Sequence, residues 1–317
     1  MRCTGYGGQG PDGRRDQSIM GTTRGRGVFA GVMAGVSLTV AGCTGGVVGG
    51  GASGSATPSG TRAGAKPPPV WNTRPGSLAA VGDSITRGFD ACGILQDCPQ
   101  VSWATGDSED VDSLAVRLLG PAKATTHSWN YAKTGALMAD LPGQMAQAGT
   151  RKPALVTVMA GANDACRDTV EAMTPVGAFR TSFEQSMAAL RSVSPTSQVY
   201  VSSVPDLKRL WSEGLTKPLG KVVWKLGICP SMLADATSKD QAAVTRRDSV
   251  QERVREYNSV LKEVCAKDQR CRFDGGAVYD FQFGTEQLSR WDWFHPSKDG
   301  QARLAEIAYG KVTAPEA

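Results

Sequence analysis

The residues able to carry out acyl transfer stand at a few separated places in the chain. Ser84 follows a short apolar run, Leu78 to Val81, and Gly82-Asp83 turns the chain just before it. An apolar run of that length, bounded by Pro75-Gly76 and Gly82, predicts a buried strand. Ser84 then lies at the strand's carboxyl end, where open α/β sheets place their ligands. A nucleophilic hydroxyl needs a general base, usually imidazole, and the chain has 2 histidines, His127 and His295. Asp292 stands three residues before His295, in Trp291-Asp292-Trp293-Phe294-His295-Pro296. That spacing lets a carboxylate and a ring share one side of a tight loop, where the carboxylate fixes the tautomer and stabilises the imidazolium. His127 has no neighbouring carboxylate and is read as structural. The oxyanion of a tetrahedral intermediate needs donors as well. The backbone N–H groups of Ser84 and Gly135 and the side-chain amide of Asn163 are the candidates. Each feature alone has a plainer reading: a helix cap at Asp83-Ser84, a turn glycine at Gly135, and a turn or cap at Asn163-Asp164.

These groups need elements to hold them. After the strand at 78–82, the pattern predicts a short helix over 111–119 and a strand over 128–132. A loosely helical stretch at 138–148 follows, interrupted by Pro142-Gly143. Ala154 to Met159, rich in β-branched residues, is the clearest strand. Phe179, Phe183, Met187 and Leu190 recur at helical spacing, predicting an amphipathic helix over 176–193. Further strands are expected at 198–204 and 277–281. Val250 to Val264 marks a long helix, and a last helix covers 297–308 with Pro296 near its first turn. Residues 208–245 show no assignable period. Alternation of strands and helices predicts a parallel sheet with right-handed crossovers, in one three-layer α/β/α domain over 71–317.

The order of the motifs is more specific than any one of them. Gly82-Asp83-Ser84-Ile85 comes early, Gly135 after a second strand, Gly161-Ala162-Asn163-Asp164 after a third, and Asp292-x-x-His295 near the carboxyl end. This series resembles the SGNH hydrolases, also called the GDSL esterase/lipase family, with Ile85 where leucine is usual. The blocks span residues 79–300. The resemblance implies a flavodoxin-like sheet, Ser84 as nucleophile, His295 as base and Asp292 as its partner. It implies Ser84, Gly135 and Asn163 as oxyanion donors, with no metal or cofactor. The longer strings around Ser84 and His295 are similar to those of secreted actinobacterial members and the phospholipase B-like branch. No G-x-S-x-G occurs, which argues against the α/β-hydrolase elbow. The implied activity is carboxylic ester hydrolysis on a small-molecule or lipid ester, with acyl lipids the first expectation. An O-acetyl esterase or acyltransferase on cell-wall or polysaccharide groups would share the same residues. A ligand-binding surface lipoprotein without catalysis is the alternative of a different class.

The amino-terminal part reads as a targeting segment. Arg24-Gly25-Arg26 precedes an uncharged, mostly apolar run from Val28 to Val40, too short for a bilayer span of about 20 residues. A secretory signal fits. Val40-Ala41-Gly42-Cys43 resembles the bacterial lipoprotein signal, which implies lipidation of Cys43, a membrane anchor and a leader over 1–42. Met20 is an alternative start. Residues 43–70, rich in Gly, Ser, Ala, Thr and Pro, are expected to be an extended tether. The net charge of +5 lies before residue 71, beyond which acidic and basic residues cancel. The domain therefore carries no electrostatic footprint for nucleic acid.

Apart from Cys3 and Cys43, the cysteines are Cys92, Cys98, Cys166, Cys229, Cys265 and Cys271. In an exported chain they are expected as disulfides. Spacing suggests local closures Cys92–Cys98 and Cys265–Cys271, leaving Cys166 with Cys229, among the fifteen pairings that six cysteines allow. Local disulfides are also a feature of the secreted relatives. A zinc site finds no C-x-x-C pair or histidine cluster to support it. The sequence leaves the oligomeric state open.

Overall fold

The computed structural model describes residues 69–315. The leader over 1–42, Cys43 and the tether up to residue 68 lie outside the described residues. The described elements, in chain order, are β1 (Leu78–Gly82), α1 (Leu114–Leu119), α2 (Pro121–His127), β2 (Ser128–Asn130), α3 (Leu141–Thr150), β3 (Leu155–Met159) and α4 (Ala162–Ala165). Then come α5 (Val176–Val193), β4 (Gln198–Val201), α6 (Leu207–Gly214), α7 (Pro218–Val223), α8 (Pro230–Leu233), α9 (Gln241–Cys265), β5 (Cys271–Phe273), α10 (Ala277–Asp280) and α11 (Lys298–Thr313).

The strands form one five-stranded sheet in the order β2-β1-β3-β4-β5, and every neighbouring pair is parallel. This is the flavodoxin-like order, whose switch point lies between β1 and β3. Right-handed crossovers put α3, α5 and α9 on one face and α1, α2 and α11 on the other, and the helices pack among themselves in these groups. β1, β3 and β4 are buried along their whole length, as parallel strands covered on both faces must be.

Several boundaries differ from the sequence-based expectation. Residues 277–281 are not a strand. Gly275 and Gly276 turn the chain, Asp274 accepts from the N–H groups of Gly276 and Val278, and α10 follows. The last strand is instead β5, three residues long, tied to the end of α9 by the Cys265–Cys271 disulfide. Pro142-Gly143 does not interrupt a helix: Pro142 occupies the first turn of α3, where no N–H is missed. Nor does a helix follow Ser84, since residues 84–90 are consecutive turns. Cys92–Cys98 and Cys166–Cys229 are also paired, as the spacing suggested.

Two buried glutamines fix the end of β1. Gln144 of α3 accepts from Gly82 N at 2.8 Å and donates to Gly82 O at 3.0 Å. From α11, Gln301 donates to Ile85 O at 2.9 Å and accepts from Trp103 N at 2.8 Å. Gly82 has φ +147°, and a Cβ there would stand 2.1 Å from the Met159 carbonyl oxygen of β3. Only glycine lets the two central strands end this close together.

Candidate active site

Ser84, Asn163 and His295 meet at the carboxyl ends of β1 and β3. The Ser84 hydroxyl lies 2.9 Å from His295 Nε2, and His295 Nδ1 is in short contact with Asp292 Oδ2. With its Nδ1 proton directed to the carboxylate, the ring offers Nε2 as acceptor to the serine O–H. This is the arrangement that lets a hydroxyl lose its proton as it attacks.

The loop that carries the imidazole is built from local hydrogen bonds. Asp292 Oδ1 accepts from Phe294 N at 2.9 Å and His295 N at 3.0 Å. Ser289 closes the loop through its N–H to His295 O at 2.7 Å. Between acid and base, Trp293 takes a left-handed backbone conformation, φ 55°, which is uncommon for a bulky residue and clusters at functional sites. Neighbouring segments hold it in place. Trp224 Nε1 donates to Asp292 O at 2.8 Å, and a Cβ at Gly214 would stand 2.3 Å from Trp293 O. The His295 side chain keeps 18% of its surface exposed while Asp292 keeps 1%, so the ring is reachable and its partner is shielded.

Electrostatics around the ring follow from burial and neighbours. Burial alone pushes His295 down, but the charge and hydrogen bond of Asp292, with Asp90 and Asp83 beyond, outweigh it and raise its pKa above 6.5. For Asp292, burial raises the pKa, yet the His295 charge and hydrogen bond and two backbone N–H donors bring it below the ordinary value. Nothing in the sequence marks Asp90 as part of the site. Its carboxylate, raised by burial and by Asp292, lies within 4.8 Å of the Asp292 and His295 ligand-type atoms. Phe89, next to it, sets its ring edge on the imidazole at 5.1 Å. Ser289 Oγ donates to Asp90 O at 2.7 Å, joining the Ser84 turn to the His295 loop. Asp83 is buried, and burial raises its pKa to about 7; Asp164, likewise buried, is raised to about 6.

Ser84, Asn163 and His295 line a cavity of about 60 Å³ with Ile85, Leu207, Leu210, Ile228 and Phe294. Cys166 and Cys229 form part of its wall. The Asn163 amide donates to Ala136 O at 3.0 Å, which ties it to the 133–136 turn and leaves its second hydrogen for another acceptor. Gly135 lines a separate hollow with Lys133, Thr134 and Ala136, which shares no residue with the Ser84 cavity. A Cβ on Gly135 would meet open space, so its φ of +81° rather than close packing calls for glycine. Among the described residues, neither the Ser84 nor the Gly135 N–H donates to a protein acceptor. His127 is exposed at the end of α2 and bonds Thr126, away from these groups.

The family model described as GDSL-like lipase/acylhydrolase matches residues 78–308. No curated protein matches the chain. Among solved structures, an extracellular lipase from Streptomyces rimosus is 17% identical, with 75% of this chain and 99% of that chain covered and a TM-score of 0.45. Phospholipase A1 from Streptomyces albidoflavus is 17% identical over 76% of this chain and 100% of that chain, TM-score 0.43. A family 3 carbohydrate esterase from Clostridium thermocellum is 17% identical over 74% and 94%, TM-score 0.45. The assignment rests on the family model, which spans most of the described residues from β1 into α11: the chain belongs to the GDSL-like lipase/acylhydrolase family and is a carboxylic ester hydrolase.

Proposed function

We propose that the protein hydrolyses carboxylic esters, acyl lipids first among them, through a Ser84-His295-Asp292 triad and an acyl-enzyme. The observation that carries this reading is the unbroken chain from Ser84 Oγ to His295 Nε2 at 2.9 Å and from His295 Nδ1 to the buried Asp292 carboxylate. His295 takes the Ser84 proton as Ser84 Oγ attacks the ester carbonyl. The oxyanion is held by the Ser84 and Gly135 N–H groups and the Asn163 amide. Collapse of the tetrahedral intermediate breaks the C–O bond, and His295 gives its proton to the leaving alcohol. Water, deprotonated by the same ring, then releases the acid and restores Ser84. None of these steps calls on a metal or cofactor. The apolar wall formed by Leu207, Leu210, Ile228 and Phe294 suits the hydrocarbon part of an acyl group. Export and lipidation at Cys43 complete the reading: a hydrolase held near a membrane.

One observation favours a second reading. The cavity beside Ser84 is small, about 60 Å³, which suits a short acyl group and so an O-acetyl esterase or acyltransferase on cell-wall or polysaccharide groups. A chain-length series of p-nitrophenyl esters separates the two, with Ser84→Ala as control. The acyl-lipid reading predicts kcat/KM rising beyond acetyl, with all turnover lost in Ser84→Ala. A sharp acetyl optimum would transfer the assignment to the second reading, and turnover surviving in Ser84→Ala would remove the triad altogether.

A further inference from the structure

Exposed apolar side chains are concentrated at the catalytic end of the sheet. Apart from Val70, the most exposed large apolar side chains of the described residues are Ile94, Leu95, Leu219, Val222 and Leu226, at 61% to 80% exposure. They sit on two segments: the loop closed by Cys92–Cys98, and α7 with the single 3₁₀ turn Trp224–Leu226 that follows it. Cys92 of the first segment and Lys217, just before the second, line one cleft beside the His295 loop with Asp90, Trp291 and Trp293, and the exposed apolar side chains lie outside it.

The second segment has two opposite faces. At 3.6 residues per turn, buried Gly220 and Trp224 lie on its inner side, where Trp224 holds the Asp292 carbonyl. Leu219, Val222 and Leu226 fall on the opposite side. Lys221 and Lys225 lie beside them, and Lys217, in extended conformation at the amino-terminal end of α7, adds a third lysine to the row. The lysine ion pairs among the described residues belong to Lys208, Lys267 and Lys298. The row therefore keeps its positive charge un-neutralised by carboxylates, with Lys217 over the Trp293 ring at 5.2 Å.

We propose that residues 217–226 form the docking surface for an anionic lipid–water interface, with Leu219, Val222 and Leu226 entering the acyl boundary and the lysine row meeting lipid head groups. A face of apolar side chains beside a row of lysines is the pattern of an interfacial helix, and cationic side chains gain from the negative surface potential of such a membrane. A second copy of the chain fits less well. A stable interface buries on the order of 1,600 Å², far more than three side chains offer, and a two-fold axis through the patch would set lysine against lysine. The proposal deepens the acyl-lipid reading of the neighbouring site: docking here would present that site to its substrate.

The test uses the full chain with Cys3→Ser and Cys43→Ser, so that the label site is the one cysteine outside the three disulfides, and Leu226→Cys carrying an environment-sensitive fluorophore. Vesicles of mixed phosphatidylglycerol and phosphatidylcholine should shift its emission to the blue. Phosphatidylcholine alone, or the anionic vesicles in high salt, should do so far less. The same fluorophore at Lys267→Cys, at the amino-terminal end of the sheet, should not respond. Adding Lys221→Glu with Lys225→Glu should raise the vesicle concentration for half-maximal shift by about tenfold or more, while hydrolysis of a soluble short-chain ester stays unchanged. No shift at position 226, a shift indifferent to the two glutamates, or a concentration-dependent shift without vesicles would overturn the proposal, the last pointing to self-association. Loss of soluble-ester turnover in the unsubstituted chain, with the shift intact, would instead sink the hydrolase reading alone.

Discussion

His295 is held between burial, which favours the neutral ring, and carboxylates, which favour the charged one. The carboxylates prevail and the pKa stands above 6.5. Because the base must be neutral to accept the Ser84 proton, kcat/KM should rise with pH as the ring deprotonates, with its half-point above 6.5. Asp292→Asn removes the largest source of the upward shift. Burial then acts with less opposition, so the half-point should move to lower pH. The rate should also fall steeply, on the order of 10⁴-fold for a comparable triad. A pH–rate profile of both proteins checks this. An acid limb that stays in place on loss of the carboxylate would mean that another group controls it.

Among the elements, the linkage between the β3–α5 connection and the stretch before α9 depends on one covalent bond. Cys166–Cys229 closes 63 residues, whereas the other two bridges close 6 each. Loop-closure entropy gives about 4 kcal/mol for the long bridge and about 2 kcal/mol for a short one. Cys166→Ala with Cys229→Ala should therefore lower Tm more than Cys265→Ala with Cys271→Ala. It should also reduce kcat/KM, since both residues wall the Ser84 cavity. Equal losses of Tm in the two double variants, by thermal denaturation, would count against this. What could be seen in advance follows the same physics. β1 and β3 were legible because both faces are buried, so their sequences are continuous apolar runs. β5 was not, since Cys271-Arg272-Phe273 is short and half-buried and shows no period. Residues 277–281 are mostly apolar or aromatic, as a strand can be, but follow two glycines with positive φ. The 208–226 stretch was opaque because its role is tertiary: Gly214, Gly220 and Trp224 pack on the Trp293 loop, and contacts that distant leave no local pattern. Asp90 escaped notice for the same reason, whereas Asp292 and His295 are neighbours in the chain and could be read directly.

At the scale of the whole molecule, two buried carboxylates with raised pKa values make stability fall with rising pH. Asp83 has a folded pKa of about 7 and Asp164 of about 6, both raised by burial above 3.8. A raised folded pKa means that the native state holds a proton the unfolded chain has released. These groups impose no penalty below about 3.8, and stability is lost as pH climbs from there through about 7. Asp83→Asn keeps an acceptor for Ile85 N, which now bonds Asp83 Oδ1 at 3.0 Å, and cannot ionise. Its Tm should decline less than the wild-type Tm over that interval, and parallel profiles would show that Asp83 ionises without cost. Ester hydrolysis by this chain requires Ser84 to be an activated nucleophile, and covalent capture tests that most directly. The folded protein is treated with a fluorophosphonate and its peptides are mapped by mass spectrometry. A single adduct on Ser84, lost when His295 is replaced by alanine, is the predicted result. An unmodified Ser84, or labelling that proceeds equally well without the imidazole, would contradict it.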